Sequence, residues 1–236
     1  MVLLHRNHLA VLLLASAVLA CRRPPARTVA PAVVAKPVAK PQAPPPPELP
    51  LFLPRVLQPL AVDGELAESV WRDAAHSGGF RDEKSDKLGI PHSEARLAND
   101  GERLLLGLYA ADEDIQAHAK AGTPFDARDD VFVVQIQRVG DAASYQIEAT
   151  ANGTVRETVT PPASKPRPRA TCAVELDGTV NDATDDDEEW VVECVLPFGA
   201  LDVRIGDTLL VSARRCDTPK GADKRCGLWQ RRVQIQ

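Results

Sequence analysis

Short apolar runs separated by turn-forming residues dominate the second half of this chain, and they constrain its fold more than any other feature. The turn-forming stretches read NDGE, VGDAAS, ANGT and LDGTVND. The apolar runs are RLLLGLYAAD (103–112), DVFVVQIQRV (130–139), SYQIEAT (144–150), TCAVEL (171–176), EWVVECVLPF (189–198) and DTLLVSARRC (207–216). Runs of this kind predict strands, and several strands at short spacing predict a sandwich or a barrel. We expect an all-β fold, a two-sheet antiparallel β-sandwich of jelly-roll-like form with at most one or two short helices, one of them in ADEDIQAHAKA (111–121).

The amino-terminal segment predicts a signal peptide over residues 1–21. Arg6 precedes eleven apolar or small residues, LAVLLLASAVL, a run too short to span ~30 Å of hydrocarbon. The following VLAC resembles the lipobox of bacterial lipoproteins, in which the cysteine is acylated and becomes the first residue; here it is Cys21. The alternative is a secreted protein cleaved after ASA or VLA, with Cys21 unmodified. In a host with two membranes, Arg22 after the cysteine favours the outer membrane of the cell envelope.

Residues 22–57 predict a proline-rich linker. Ten of the twenty prolines of the chain, and no glycine, lie between residues 22 and 50, which is typical of an extended, semi-rigid spacer. Six of the 28 basic residues and one of the 33 acidic residues precede residue 51, so the rest of the chain carries a net charge of about −10. Because nucleic-acid binding requires clustered Lys and Arg, we expect no nucleic-acid partner for the domain at 58–236.

The four remaining cysteines predict two disulfide bonds in an exported protein. Cys172 and Cys194 are symmetric about position 183, and Cys216 and Cys226 are symmetric about Gly221, so each pair fits across one hairpin. Three pairings are open in principle, and a zinc site is the rival interpretation. The sequence offers no C-x-x-C pair and no nearby histidine for zinc.

Six sequence blocks resemble, in order, the blocks of the family 9 carbohydrate-binding module and its relatives. They are LAVDGELAESVWRDA (60–74), EARLANDGERLLLGLYAADEDI (94–115), DDVFVVQI (129–136), YQIEATANGTV (145–155), DGTVNDATDDDEEWVVECVLPFGAL (177–201) and GDTLLVSARRCD (206–217). The resemblance implies a β-sandwich and, less firmly, binding of a polysaccharide or oligosaccharide. It also implies that Trp71, Trp190 and Trp229 serve packing, although a loop closed by Cys216 and Cys226 could expose Trp229.

The sugar-binding pattern of that family is incomplete here. Sugar-binding members use a first strand W-x-x-D-x-V-E, whereas this chain reads FDARDDVF (125–132). The tryptophan is replaced by Asp126 or, with a slip of one residue, by Phe125, and the glutamate is replaced by Phe132. Strand alternation puts Phe132 on one face, and we expect Gln146 and Glu148 on the neighbouring strand to share it. The candidate ligand-binding residues are Arg96, Tyr109, Phe125, Phe132, Gln146, Glu148 and Trp229.

The acidic run NDATDDDEE (181–189) is a candidate calcium site, with oxygen ligands from Asp182, Asp185 and Asp187. The simpler interpretation is a solvated hairpin loop, and no other cofactor is expected. Motifs of hydrolases, zinc proteases and phosphate-binding loops are absent from the sequence, so we expect no enzyme activity. The sequence therefore predicts a lipid-anchored, non-catalytic carbohydrate-binding module with weak polysaccharide binding. The alternative is a cell-envelope protein-interaction or assembly module that has lost sugar binding, for which the same mixed face would serve as a protein edge. A separate interpretation of that face is an ordinary second core face.

Overall fold

The computed structural model describes residues 49–89, 91–163 and 165–236. The predicted signal peptide, Cys21 and most of the predicted linker lie outside these ranges. The elements are β1 (Leu51–Leu53), α1 (Ser69–Asp73), β2 (Ala75–His76), β3 (Arg81–Asp82), β4 (Ser93–Asn99), β5 (Arg103–Ala111), β6 (Val131–Arg138), β7 (Ser144–Thr150), β8 (Val155–Thr160), β9 (Thr171–Asp177), β10 (Glu189–Pro197), α2 (Phe198–Leu201), β11 (Thr208–Asp217) and β12 (Arg225–Ile235). Neither of these short helices could cross a membrane, and the described ranges contain no other helix.

Two sheets form the sandwich that the sequence predicts. The larger sheet has the strand order β1-β12-β11-β6-β7-β8, with β3 also paired to β12. The smaller sheet has the order β2-β4-β5-β10-β9. All pairs are antiparallel except β1 with β12, which run parallel. The predicted all-β sandwich is thus confirmed.

The main core lies between the inner faces of the two sheets. In β6 the burial alternates, so Phe132 and its second neighbours point inward and are fully buried. The ring of Phe132 lies with its centroid 4.9 Å from that of Trp190 and 6.3 Å, edge-on, from that of Phe80. Tilted and edge-on aromatic pairs of this kind add to the stability from area burial. These rings join the larger sheet to the smaller one.

Both predicted disulfide bonds are present. Cys172 lies directly opposite Cys194 in the pairing of β9 with β10, and Cys216 lies opposite Cys226 in the pairing of β11 with β12. The symmetry of each pair about a loop therefore reflects the strand register. Since the four sulfur atoms are joined in two disulfide bonds, these cysteines do not form the rival zinc site.

A second, smaller apolar cluster covers the outer face of the smaller sheet. We call residues 54–74 the strap, because its apolar side chains, with Trp71 fully buried, pack on Leu105 and Val195. Gly107 of β5 makes this approach feasible: a Cβ atom there would lie 2.7 Å from Leu66 Cδ2 and 3.2 Å from the Trp71 ring. The Trp71 indole donates a hydrogen bond of 2.9 Å to the buried carboxylate of Glu193.

The folded domain starts before residue 58, where the linker was expected to end. Strand β1 pairs with β12, and both Leu53 and Val56 are buried. The short apolar run LFL at 51–53 is a strand signal that the adjacent prolines obscure. Residues 51–57 are therefore part of the sandwich and not part of a spacer.

The helix predicted in 111–121 is wrong. This segment is irregular because buried carboxylates bind its backbone N–H groups in place of the carbonyls four residues earlier. Asp187 accepts from Ile115, Asp130 accepts from Gln116, and Asp129 accepts from His118 and Ala119. The two helices that the described chain does contain, α1 and α2, lie elsewhere.

Candidate functional site

The outer face of the larger sheet carries a straight row of amide and hydroxyl side chains. Strand register places Gln135 opposite both Gln146 and Ser212, and the row continues to Thr158 on one side and Gln230 on the other. Residues that oppose each other directly in antiparallel strands point to the same face. The row therefore crosses five strands, and we call this surface, with the side chains immediately beside it, the platform.

An arginine and an aromatic ring form one corner of the platform. Arg156 Nη1 lies 3.4 Å from Glu148 Oε2, and Arg156 Nη2 donates a 2.6 Å hydrogen bond to the carbonyl of Thr123. The guanidinium carbon lies 4.4 Å from the centroid of the Phe125 ring. A guanidinium stacked on a ring and held by a carboxylate has little freedom to move, so its outward donors point in a fixed direction.

A second ion pair lies toward the other side of the platform. Arg214 donates two hydrogen bonds to Glu83, of 2.6 Å from Nε and 3.0 Å from Nη2. The strand register places Val133 between Glu148 and Arg214, and Leu228 beyond Arg214, so aliphatic side chains flank the charged groups. This platform can offer donors and acceptors to hydroxyl groups while its aliphatic groups contact the apolar side of a flat ring.

The structure corrects the face that the sequence assigned to Phe132. In the register of β6 with β7, Phe132 opposes Ala149, whereas Val133 opposes Glu148 and Gln135 opposes Gln146. Phe132 is therefore an inward core residue, while Gln146 and Glu148 face outward beside Val133 and Gln135. The assumed register was shifted by one residue, and a shift by one moves every side chain to the other face.

Of the seven candidate ligand residues, the structure brings Phe125, Gln146 and Glu148 to the platform. Arg96 and Tyr109 lie in the smaller sheet, on β4 and β5. Arg96 pairs there with Glu94 at 2.9 Å, while hydrogen bonding to Glu189 and burial raise the pKa of Tyr109 to about 12. Trp229 opposes the core residue Ala213 and packs against the main core. The other residues of the amide and hydroxyl row, Gln135, Thr158, Ser212 and Gln230, had only their strand alternation as a signal in the sequence.

The three aspartates of the predicted calcium loop do not converge. Asp187 is buried, and its carboxylate accepts backbone hydrogen bonds from Ile115 and Thr179. Asp182 is exposed and binds Thr184, while Asp185, also exposed, binds the Thr179 hydroxyl. Within the described ranges, the carboxylate groups close enough to share a cation lie elsewhere. The loop aspartates instead organise the loop itself.

The described carboxylates that could share a cation form two groups. One is Asp63, Glu68 and Glu193 beneath the strap, and the other is Asp112, Asp130 and Asp217 at one end of the main core. Glu193 already accepts hydrogen bonds from the backbone of Asp63 and Gly64 as well as from Trp71, and burial raises its pKa.

The second group, which we call the buried aspartate cluster, includes two ion-pair partners of Arg215. Arg215 Nη2 donates to Asp112 at 2.7 Å and to Asp217 at 2.8 Å, and all three side chains are almost fully buried. Burial and the negative charge of Asp112 raise the pKa of Asp130 to about 8. Burial also raises the pKa of Asp217 to about 6, although Arg215 opposes the shift. Two of the carboxylates therefore pair with one guanidinium, and the third, Asp130, lies close to them with an ionised form that burial and their charge disfavour.

Comparisons with known proteins agree with the fold. No protein-family model matches the chain. No curated protein matches it by sequence. Among solved structures, a candidate carbohydrate-binding protein from Bacteroides uniformis superposes with a TM-score of 0.60 at 15% identity, covering 79% of this chain and 98% of that one.

Two further structures are of a family 9 carbohydrate-binding module from Caldicellulosiruptor kristjanssonii, one in complex with cellotriose and one with glucose. Both have a TM-score of 0.55 at 11% identity and cover 80% of this chain. The superposition covers 94% of the chain in the cellotriose complex and 96% of the chain in the glucose complex. The fold of the chain is therefore that of the family 9 modules, as the sequence resemblance implied. At this identity, the likeness is one of fold.

Proposed function

We propose that the chain is an exported, lipid-anchored, non-catalytic carbohydrate-binding module whose platform recognises a polysaccharide. The observation that carries this proposal is the row of Gln146, Gln135, Ser212 and Gln230 across the larger sheet. Amide and hydroxyl side chains both donate and accept hydrogen bonds, and they match the hydroxyl groups of a sugar without the desolvation cost of a charge.

The composition of the platform favours a saccharide over the alternative protein partner. Protein interfaces concentrate large apolar and aromatic side chains at their centre, whereas the centre of the platform is polar. A solved module of the same fold is in complex with cellotriose, which supports the proposal. The names of the solved neighbours, which are binding proteins and modules, support a non-catalytic role.

Binding is expected to be weak, because the aromatic contribution is small. Phe125 is the aromatic side chain at the platform corner, and Arg156 already covers one of its sides. Each missing stacking contact costs on the order of 1 kcal/mol, so affinities between about 10 µM and 1 mM are expected. Such affinity suits a module that is held near its polymer by an anchor.

Calorimetry or affinity electrophoresis of the purified chain on cello-oligosaccharides and soluble glucans tests the proposal. The double variant Gln135→Ala and Gln146→Ala should lose most of the binding, because it removes two adjacent amides of the row. Gln58→Ala is the matched control, since this glutamine is exposed on the strap over the other sheet. No retention of the wild-type chain on any glycan, or equal loss in the control, would contradict the proposed site.

The anchor has a separate test, and we place the protein at the bacterial outer membrane in this proposal. Acylation requires the thiol of Cys21, so Cys21→Ser should move the chain from the membrane fraction to the soluble fraction. Wild-type chain in the soluble fraction would show instead an ordinary secreted protein. Neither result depends on whether the platform binds sugar.

A further inference from the structure

Basic residues line a groove at the β8 edge of the larger sheet. One part of this groove has a volume of about 400 Å³ and contains Tyr145, Val159, Lys165, Arg167 and Arg169. An adjoining part of similar volume reaches Arg156 at the platform corner, and the two parts share Glu157 and Arg169. Volumes of this size are in the range of ligand-binding clefts. We call the two parts together the basic groove.

The charge of the groove is opposite to that of its surroundings. The stretch after residue 164 reads KPRPR, with three cations in five residues, in a region of the chain whose net charge is about −10. Lys165, Arg167, Arg169 and Arg156 line the groove, while Glu157 is the acidic residue among its described lining residues. Clustered cations in a negative protein attract anions locally and leave non-specific attraction weak.

Glu157 does not cancel this positive charge. Its side chain is only 9% exposed, and it accepts hydrogen bonds from the Tyr145 hydroxyl and from Arg169 Nε, the latter at 3.3 Å. Arg169 is 74% exposed, so this ion pair is weak and leaves the guanidinium able to bind a ligand. Within the described chain, Arg167 uses one donor, a 2.9 Å hydrogen bond to the carbonyl of Ala200, which ties the segment to α2. Each guanidinium has five N–H donors.

The alternating prolines supply a second kind of contact. Pro166 and Pro168 hold the segment extended, so that successive cations in it lie ~6 Å apart along the chain. This spacing is on the scale of one sugar residue. The proline rings and Val159 give apolar surface against which a sugar ring can lie. A groove with apolar walls and regularly spaced cations matches a polymer of sugar rings that carry carboxylates.

We propose that the basic groove binds a polyuronate, an acidic polysaccharide whose carboxylates pair with Lys165, Arg167 and Arg169. Arginine binds carboxylates with two parallel hydrogen bonds, which gives direction as well as charge. This proposal rests on saccharide recognition as the function and names the class of saccharide. Because the groove meets the platform at Arg156, one polymer chain would contact both surfaces.

Calorimetry of the purified chain with polygalacturonate and with its fully methyl-esterified form tests the charge requirement on one sugar backbone. The acidic polymer should bind at least about tenfold more tightly than the neutral ester, and more weakly as salt increases. Equal affinity for the two polymers would overturn the proposal.

The double variant Lys165→Gln and Arg169→Gln should lower the affinity for polygalacturonate about tenfold or more, and should leave cellotriose binding unchanged. The control is Lys87→Gln with Arg204→Gln, which removes the same charge from exposed positions outside the groove. An equal loss in the control would show a general charge effect and overturn the proposal.

Two further ligands separate other sources of negative charge. These ligands are dextran sulfate and phosphatidylglycerol vesicles. If either binds as tightly as polygalacturonate, and loses binding in the Lys165 and Arg169 variant, the proposal is overturned in favour of a surface for general polyanions or for lipids. The platform is judged separately with cellotriose and the Gln135 and Gln146 variant. A failure there, with acidic binding intact, would remove the platform assignment and leave the groove standing.

Discussion

Replacing Asp217 by Asn should stabilise the protein at alkaline pH. Asp217 Oδ1 accepts a hydrogen bond from Arg215, while its Oδ2 is buried and has no hydrogen-bond partner within the described ranges. Asn has the same shape, keeps an oxygen for Arg215 and replaces the unpartnered oxygen by a neutral amide. The substitution therefore removes one negative charge from the buried aspartate cluster and leaves the packing intact.

The expected gain follows from the pKa of Asp217. Burial, with repulsion from Asp112, raises it from 3.8 to about 6, and Arg215 lowers it only in part. A raised carboxyl pKa contributes stability that is complete below pH 3.8 and is lost as the pH rises through 6. Two pKa units correspond to ~3 kcal/mol, so the Asn variant should exceed the wild type by up to about 3 kcal/mol at pH 8 and match it near pH 4.

Asp130 adds to the stability that the Asp217→Asn variant gains at high pH. The charge of Asp217 contributes to the raised pKa of Asp130, so removing that charge also makes ionisation of Asp130 less costly. Lys224 and Arg225 attract Asp217 from neighbouring positions, and the loss of that attraction is already included in its pKa. The difference between variant and wild type should therefore increase steadily from pH 4 to pH 8.

Urea unfolding without reductant, at pH 4, 6 and 8, measures this difference, with Asp186→Asn as control because Asp186 is 95% exposed. Each protein is measured in chelator and again with calcium. An Asn variant that is less stable than the wild type at pH 8 in chelator would refute the reasoning, since the carboxylate charge would then be favourable. A calcium-dependent gain found only in the wild type would show that a cation compensates the cluster.

Three further predictions concern packing and stability. Replacing Cys172 and Cys194 together by Ser should lower the free energy of unfolding by ~3 kcal/mol, measured by thermal unfolding, and no change would contradict the loop-closure argument. Trp71→Phe should lower the free energy of unfolding by about 2 kcal/mol, measured with urea, because the buried Glu193 carboxylate loses a hydrogen-bond donor. An unchanged unfolding midpoint would show that water replaces the indole. Phe132→Ala should cost about 3–5 kcal/mol in the same assay, and full stability with weaker glycan binding would instead return this ring to the binding face.

The sequence predicted the sandwich and the disulfide register well, because both depend on local patterns. Strands are visible as alternation, and a cysteine pair symmetric about a turn defines its own register. The prediction that Phe132 shares a face with Gln146 and Glu148 was wrong because it does not depend on a local pattern. Its assignment depends on how β6 pairs with β7, and a change of one residue in that register inverts the sheet face.

The buried aspartate cluster was also not visible in the sequence. Asp112, Asp130 and Asp217 each lie at the end of an apolar run, where an acidic residue normally faces water. Their meeting, with Arg215 bound to two of them, requires the ends of two strands and the start of a third, from two sheets, to lie at one place. The same long-range arrangement turned the apparent helix at 111–121 into an irregular segment, since the carboxylates that bind its backbone come from distant loops and strands.

The parallel pairing of β1 with β12 brings the start and the end of the folded domain to one edge of the larger sheet. Val233 is the partner of Leu51, and the amide of Gln236 donates to the carbonyl of Leu53. Five strand spacings, ~24 Å, separate this edge from β8. A fluorescent reporter or an immobilisation tag fused after Gln236 should therefore leave the basic groove beside β8 unobstructed, and modules joined end to end would display this groove on the side away from the joints.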